Sequence, residues 1–184
     1  YTKSTRNSPE AAAAIEAAIR KAAGKPTGEL TKADYEKVTY LDLKNNQITN
    51  VSGIEHLTNL ETLSLAVNNL NELQDEIIKL TNLKNLGLRS NRLKNVNVLT
   101  NLTQLNSLNL VDNDLFALPN GLEKLTQISI LNLHVNKITN VKGLENLTGL
   151  KNLNLQDNPN LTITQINKLQ KALPNCKITH NASK

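Results

Sequence analysis

An asparagine recurs along this 184-residue chain at an almost constant interval, and each copy follows the same arrangement of leucines. The six copies are Asn46, Asn68, Asn91, Asn113, Asn136 and Asn158, so the successive steps are 22, 23, 22, 23 and 22 residues. A unit this short cannot bury an apolar face on its own, so neighbouring units must stack against one another. The interval therefore constrains the chain to an elongated stack of repeats with a single continuous core.

The leucine spacing identifies the type of repeat. Five of the six units fit L-x-x-L-x-L-x-x-N-x-L, with isoleucine or valine at some leucine positions, as in Leu60-x-x-Leu63-x-Leu65-x-x-Asn68-x-Leu70. This pattern is the signature of leucine-rich repeats, in which each repeat contributes one strand. We predict an α/β solenoid with a curved, six-stranded parallel sheet on its concave side. Its convex side is expected to be mostly 3₁₀ helix or irregular, because apolar residues recur every third position in the outer segments of the 22-residue repeats.

Both ends of the repeat array carry helix signals. Ser8 precedes an alanine-rich run that stops at Gly24, and Thr31 precedes a second short helix with Asp34 three residues later. At the other end Thr162 and Gln165 have the spacing of a capping box. We therefore predict one continuous domain with a helical N-terminal cap over residues 1–37, six repeats over 38–160, and a C-terminal helical cap and tail over 161–184. Such caps cover apolar faces that terminal repeats would otherwise expose.

The recurring asparagine is the polar element of an otherwise apolar core. It stands where each strand turns, and there its amide can satisfy backbone groups of adjacent repeats that would otherwise be unpaired. We predict that all six asparagines form a buried structural ladder. Cys176, the only cysteine, is expected to pack as a small apolar residue.

The outer segments and the two ends resemble a known bacterial family. The stretch from Asn46 to Ile54 resembles internalin-type repeats, residues 17–34 are similar to the internalin N-terminal cap, and residues 172–178 are similar to a frequent C-terminal cap. The resemblance extends over nearly the whole chain. It implies a bacterial protein that is secreted or held on the cell surface and that binds a protein of a host or a neighbouring cell.

Strand periodicity predicts which side chains face the concavity. Because alternate residues of a strand point to opposite sides, the non-leucine positions form three columns across the sheet. The candidate partner-binding residues in those columns are Tyr40, Asp42, Lys44, Arg89, Asn109, Val111, Ile130, Asn132, His134, Asn154 and Gln156. Val111 and Ile130 are predicted to be exposed β-branched residues that a partner covers, although strand preference alone would also explain them. The column of Asn109, Asn132 and Asn154 could bind a ligand or form a solvated hydrogen-bonding ladder.

Several other function classes are disfavoured by the sequence. The net charge is +5, but seven basic residues precede the first repeat and the others are scattered, and only four residues are aromatic, so we expect no nucleic-acid partner. The three histidines lie far apart in the repeat plan, and no phosphate-binding loop or nucleophile motif is present. We predict a protein that is not an enzyme and has no metal site and no cofactor. No apolar stretch approaches the length of a membrane span.

Three interpretations of the function remain open. The first is a monomeric module that binds a protein ligand with its concave face. The second is a carbohydrate or cell-wall adhesin, which the absence of tryptophan disfavours. The third is a structural spacer of a larger surface protein. Because the chain contains no methionine, we expect it to be a piece of a longer protein in which any signal peptide or anchor lies elsewhere.

Overall fold

The computed structural model describes residues 6–183, and its strands form one parallel sheet in chain order. Each strand has three residues: β1 Tyr40–Asp42, β2 Thr62–Ser64, β3 Asn85–Gly87, β4 Ser107–Asn109, β5 Ile130–Asn132, β6 Asn152–Asn154 and β7 Lys177–Thr179. The first six are the predicted repeat strands. The prediction of a six-stranded sheet is wrong by one, because β7 follows the C-terminal helix and pairs with β6. This strand lacks the leucine and asparagine signature but keeps the alternation, with buried Cys176 just before it and half-buried Ile178 at its centre.

The core lies behind the sheet and runs through every repeat without a break. The central residue of each repeat strand is a leucine that is at most 2% exposed, and these leucines pack with those of the outer segments into one cluster. Neighbouring central leucines pair directly, as Leu63 does with Leu41 and Leu86. Because side chains alternate along a strand, the residues on either side of each leucine face away from this core.

The outer segments combine short 3₁₀ helices with turns. The 3₁₀ helices are Asp75–Lys79, Asn97–Asn101, Leu122–Lys124 and Leu144–Asn146. They occur in repeats of both lengths, whereas the sequence led us to expect them in the 22-residue repeats. The outer segment of the first repeat, from Val51 to Leu57, has turns only, although it carries the same threefold spacing. Its apolar residues are nevertheless fully buried. The threefold spacing therefore determines which side chains are buried, but it does not by itself determine whether the backbone forms a 3₁₀ helix.

Helix α1 (Pro9–Ala23) covers the first edge of the stack. The Ser8 hydroxyl accepts a hydrogen bond from the Ala11 N–H, and Gly24 ends the helix in the left-handed conformation, with φ 67°, as predicted. Ile15 and Ile19 on its inner side are buried in the same core as the repeats. Residues 1–5, which belong to the predicted N-terminal cap, and residue 184 of the predicted tail lie outside the described residues.

The two remaining helices both begin with the predicted capping boxes. In α2 (Lys32–Glu36), the Thr31 hydroxyl accepts the Asp34 N–H while the Asp34 carboxylate accepts the Thr31 N–H. In α3 (Ile163–Ala172), Thr162 and Gln165 make the equivalent pair. Reciprocal bonds of this kind satisfy two backbone N–H groups that a helix start would otherwise leave unpaired.

Five of the asparagines form a buried ladder that connects each repeat to the one before it. In the fourth repeat, the Asn113 Nδ2 donates to the carbonyl oxygens of Leu88 in the preceding repeat and Leu110 in its own, at 3.0 and 3.2 Å. Its Oδ1 accepts the Leu93 N–H of the preceding repeat at 3.0 Å. The equivalent bonds are made by Asn68, Asn91, Asn136 and Asn158.

The prediction that Asn46 belongs to this buried ladder is wrong. Asn46 is half-buried, and its Nδ2 donates only to the nearby Lys44 carbonyl oxygen at 3.0 Å. The reason is positional, because no leucine-rich repeat precedes it, and within residues 6–183 its amide makes no hydrogen bond to a preceding segment of the chain. Its backbone N–H is the part that joins the ladder, by donating to Asn68 Oδ1.

Replacing Asn113 with alanine should destabilise the fold strongly. The variant leaves the Leu88 and Leu110 carbonyls and the Leu93 N–H without their partner, so we expect a loss of about 3 kcal/mol, the upper end for an unsatisfied buried group. For a domain of this size that corresponds to about 6–12 °C in Tm. Asn46→Ala is the matched control and should cost under about 1 kcal/mol, because its amide makes only a local bond. Equal losses in the two variants, measured by urea and thermal unfolding, would contradict the ladder assignment.

Asp34 should make the stability of the N-terminal cap depend on pH. The Thr31 backbone N–H, with further help from the Thr31 hydroxyl and the Lys37 and Lys25 ammonium groups, holds the pKa of Asp34 well below its usual range. A carboxylate with a depressed pKa in the folded state contributes stability above its ordinary pKa of about 4, and that contribution is lost as the pH falls below this value. Asp34→Asn should therefore unfold in urea with a flatter pH profile below about pH 4 than the original chain; parallel profiles would contradict this account.

Candidate binding face of the sheet

The side of the sheet away from the core carries the predicted columns, and we call this side the open face. The strand register aligns the first column as Tyr40, Thr62, Asn85, Ser107, Ile130 and Asn152, and the second as Asp42, Ser64, Gly87, Asn109, Asn132 and Asn154. The strand β7 adds Lys177 to the first and Thr179 to the second. The alternation rule therefore predicted the placement of these side chains correctly.

The third column lies beyond the strand ends but is equally regular. There the backbone ladder continues, since the Val67 N–H donates to Arg89 O, the Ser90 N–H to Val111 O and the Asp112 N–H to His134 O, at 2.8–2.9 Å. The column runs Lys44, Ala66, Arg89, Val111, His134 and Gln156. The backbone of this column is consequently hydrogen-bonded from repeat to repeat in the same way as the strands.

The asparagines of the second column cap their own backbone. The Oδ1 atoms of Asn109, Asn132 and Asn154 accept the N–H of the residue two positions later at 3.0–3.1 Å, and Asp42 does the same for Lys44 at 3.0 Å. Short polar side chains commonly make this local bond. These oxygens therefore bond within their own repeat and do not form a ladder between repeats, and the Nδ2 groups of the three asparagines are the atoms that a ligand could reach. Ligand binding by this column stays a prediction.

Val111 does not have the exposure predicted for it. Its side chain is only 9% exposed, so the prediction of an uncovered β-branched residue is wrong at this position. Val111 stands between Arg89 and His134 in the third column, and a short side chain between two longer neighbours is shielded from solvent. It cannot contribute a large apolar contact to a partner.

Ile130 and Tyr40 are the exposed apolar side chains of the first column, at 43% and 58%. They lie on β5 and β1, four strands apart, which corresponds to about 19 Å across the sheet. The face therefore presents two separate apolar contacts rather than one patch. In the third column, Lys44 and Arg89 are exposed, and neither makes an ion pair with any residue in the range 6–183.

His134 is tied to the C-terminal end of the sheet. Its Nδ1 lies 3.3 Å from Gln156 O and 3.4 Å from Asp157 Oδ2. Asp157 is held in turn by Asn181, whose Oδ1 accepts the Asp157 N–H at 2.8 Å and whose Nδ2 donates to Asp157 Oδ1 at 2.6 Å. Sequence reasoning missed Asn181, because it follows the unpredicted strand β7. The only signal for it would have been the strand alternation of residues 176–178.

The residue before each repeat asparagine adopts a left-handed backbone. These residues are Asn45, Val67, Ser90, Asp112, Val135 and Asp157, with φ between 53° and 59°. Asparagine and aspartate tolerate this conformation, but it is an outlier for a β-branched residue. Val67 and Val135 nevertheless occupy it while 40% and 38% exposed, so neither compensates for the strain by being buried. Sequence reasoning missed both, although comparing this position across the six repeats would have revealed them.

The titratable side chains of the described part of the chain do not gather into a metal site. No group of three or more His, Cys, Asp or Glu side chains in it is placed to hold a metal ion. Cys176 is buried, and burial raises the pKa of its thiol. No helix among residues 6–183 is long and apolar enough to cross a membrane.

Comparisons with known proteins agree with this geometry. The family model "Leucine Rich repeats (2 copies)" matches residues 36–78. Internalin C2 of Listeria monocytogenes superimposes with a TM-score of 0.84 at 28% identity, covering 93% of this chain and 74% of that one. The chain is an internalin-like leucine-rich repeat protein.

Other bacterial leucine-rich repeat structures resemble the internalin-like chain over part of their length. The functional domain of InlJ from Listeria monocytogenes has a TM-score of 0.66 and 28% identity, covering 95% of this chain and 41% of that one. A leucine-rich repeat protein of Leptospira interrogans has a TM-score of 0.64 and 27% identity, with 83% and 45% covered. The chain thus spans less than half the length of these two. No curated protein sequence matches it. Its fold is one that presents an extended surface for protein interactions.

The internalin-like chain should become more stable when the strained valines are replaced. Asparagine fits the left-handed conformation, so Val67→Asn and Val135→Asn should each raise the free energy of unfolding by about 1 kcal/mol, or about 2–4 °C in Tm. The matched control is the reverse change Asp112→Val, which should lower stability by a similar amount. Unchanged stability in all three variants would show that the valines carry no strain.

Proposed function

We propose that this chain is a non-catalytic protein-binding module that contacts its partner through the open face of the sheet. One observation carries the proposal. The structure has five exposed large apolar side chains among residues 6–183, and four of them, Tyr40, Val67, Ile130 and Val135, lie on the open face or at the edge where its strands end. Only Phe116 lies elsewhere, three residues beyond the ladder residue Asn113. Exposed apolar side chains gathered on one side support an interaction site there.

Two of these residues, Val67 and Val135, have a strained left-handed backbone. A left-handed valine costs about 1–2 kcal/mol, and the same position accepts asparagine, serine or aspartate in the other repeats. Because neither valine is buried in the core, a contact with another molecule would account for their presence. Strain retained at an exposed position supports a functional role.

The charges of the face indicate the chemistry of the partner. Lys44 and Arg89 are exposed and lack ion pairs within the described range, while the Asp42 carboxylate already accepts the Lys44 N–H. A partner with carboxylates opposite these two cations and apolar side chains opposite Tyr40 and Ile130 would match the face. Tyrosine and arginine are also the side chains that most often dominate binding energy at protein interfaces.

We place this activity outside the bacterial cytoplasm, with the chain secreted or held at the cell surface. The support for this is the resemblance of the repeats and both caps to internalins, with Listeria monocytogenes among the organisms whose proteins superimpose on it. Protease treatment of intact cells that express the native gene tests the placement directly. Digestion of the chain without lysis supports it, and full protection together with absence from the medium contradicts it.

Capture experiments with matched variants test the binding face. The folded chain is immobilised and incubated with surface proteins of bacterial and of host cells, and retained proteins are identified by mass spectrometry. Ile130→Asp and Arg89→Glu should each reduce the retained partner at least about tenfold, as expected when an interface residue worth about 1.4 kcal/mol or more is lost. Phe116→Asp is the control, because Phe116 is at least as exposed as Ile130 but lies off the face; it should retain the partner fully.

The same experiment can contradict the proposal in two ways. Equal capture by the Ile130→Asp variant and the original chain would move the site away from the open face. Loss of capture with Phe116→Asp alone would place it on the outer side of the repeats. Circular dichroism of each variant separates these outcomes from unfolding, since every substituted side chain is exposed.

A further inference from the structure

Three outer turns of the solenoid contain a glycine in the left-handed conformation with a glutamate two residues later. The pairs are Gly53 with Glu55, Gly121 with Glu123, and Gly143 with Glu145, and the glycine φ values are 103°, 84° and 98°. In the first and third turns the glutamate Oε2 accepts the glycine N–H, at 2.6 and 2.7 Å. The second turn differs, because the Gly121 N–H makes no hydrogen bond with any residue in the range 6–183.

The residue before Gly121 is an asparagine, and its side chain is equally uncommitted. Asn120 is exposed, and its amide has no hydrogen-bond partner within the described residues. Asn120-Gly121 is the only Asn-Gly dipeptide in the sequence. The backbone nitrogen of a residue that follows asparagine can attack the side-chain carbonyl carbon, and glycine offers the least obstruction because it lacks a Cβ. This turn therefore leaves both reacting groups free.

We propose that Asn120 is a site of spontaneous deamidation, independent of the function of the open face. The Gly121 nitrogen gives up its proton to hydroxide and bonds to Asn120 Cγ, and ammonia leaves to form a five-membered succinimide. Water then opens the ring at either carbonyl and yields aspartate or isoaspartate at position 120. The net change is the uptake of one water and the release of one ammonia, and no oxidant or enzyme is required.

Lys124 adds an electrostatic contribution at this turn. A Cβ built on Gly121 would lie 3.6 Å from Lys124 Cε and 3.8 Å from its Nζ, so the lysine side chain crosses this face of the glycine. A nearby ammonium group stabilises negative charge that develops on the attacking nitrogen and on the carbonyl oxygen. It also favours the carboxylate of the product, which gives the outer side of the fourth repeat a new negative charge.

Asparagines followed by serine are the next most open to this attack, and the structure holds both of them in place. Asn7 Oδ1 accepts the backbone N–H groups of Thr49 and Asn50, and its Nδ2 donates to Asn50 O. Asn106 Nδ2 donates to Gln127 O, and its Oδ1 accepts the Ser129 hydroxyl. Deamidation in the folded chain should accordingly be confined to Asn120.

The test is incubation of the folded chain at mildly alkaline pH, followed by peptide mapping and enzymatic isoaspartate detection. We expect Asn120 to convert to aspartate and isoaspartate while Asn7 and Asn106 remain intact. Asn120→Gln should abolish the products, since glutamine would have to form a larger ring. An intact Asn120, under conditions in which a synthetic peptide of residues 118–124 is converted, would overturn the proposal.

The equivalent turn in the fifth repeat supplies a matched control for the free N–H. The substitution Lys142→Asn makes a second Asn-Gly dipeptide, but there the Gly143 N–H is held by Glu145. Because a hydrogen bond to an ionised group must break first, the asparagine introduced at this position should react about tenfold more slowly than Asn120, and adding Glu145→Gln should remove most of that difference. Faster reaction at position 142 than at 120 would show that the free Gly121 N–H does not determine the site.

Discussion

The fold depends on the side-chain amide of one asparagine in each repeat. Each buried asparagine satisfies at least two carbonyl groups and one N–H, and these belong to two successive repeats, as Leu88, Leu110 and Leu93 do around Asn113. Buried backbone groups without partners are costly, and the apolar side chains around them cannot supply hydrogen bonds. The amide thus allows the chain to leave the strand and turn inside an apolar core. The first repeat shows the limit, since Asn46 has no earlier repeat to join and is half-buried.

The turn at this ladder also determines what the open face presents. Each repeat enters it through one residue with positive φ, which stands one position beyond the third column. Four repeats use asparagine, serine or aspartate there, so the conformation costs little. The exposed valines at positions 67 and 135 are the exceptions. They are strained positions of the turn and also apolar side chains that the proposed interaction would use. If the open face binds as proposed, stability and binding place opposite demands on the same two residues.

The candidate site could be predicted in part from sequence. The period of two in each strand placed Tyr40, Ile130 and Arg89 on the open face, because the direction of a strand side chain follows from its position alone. The exposure of Val111 could not be predicted, since it depends on the lengths of its neighbours in adjacent repeats. The link from His134 through Asp157 to Asn181 was also missed, because it requires β7 to pair with β6.

By itself the sequence determined the number of repeat strands, their order, the burial of the leucines and the capping boxes at Thr31 and Thr162, because each of these follows from local spacing that recurs in every repeat or at a helix start. The tertiary structure decided the seventh strand, the isolation of Asn46, the shielding of Val111 and the free N–H of Gly121. The free N–H of Gly121 depends on the Glu123 side chain of the same turn not accepting it, whereas the other three depend on which backbone and side-chain groups lie across the gap between two repeats. That arrangement is set by stacking, and no single repeat encodes it.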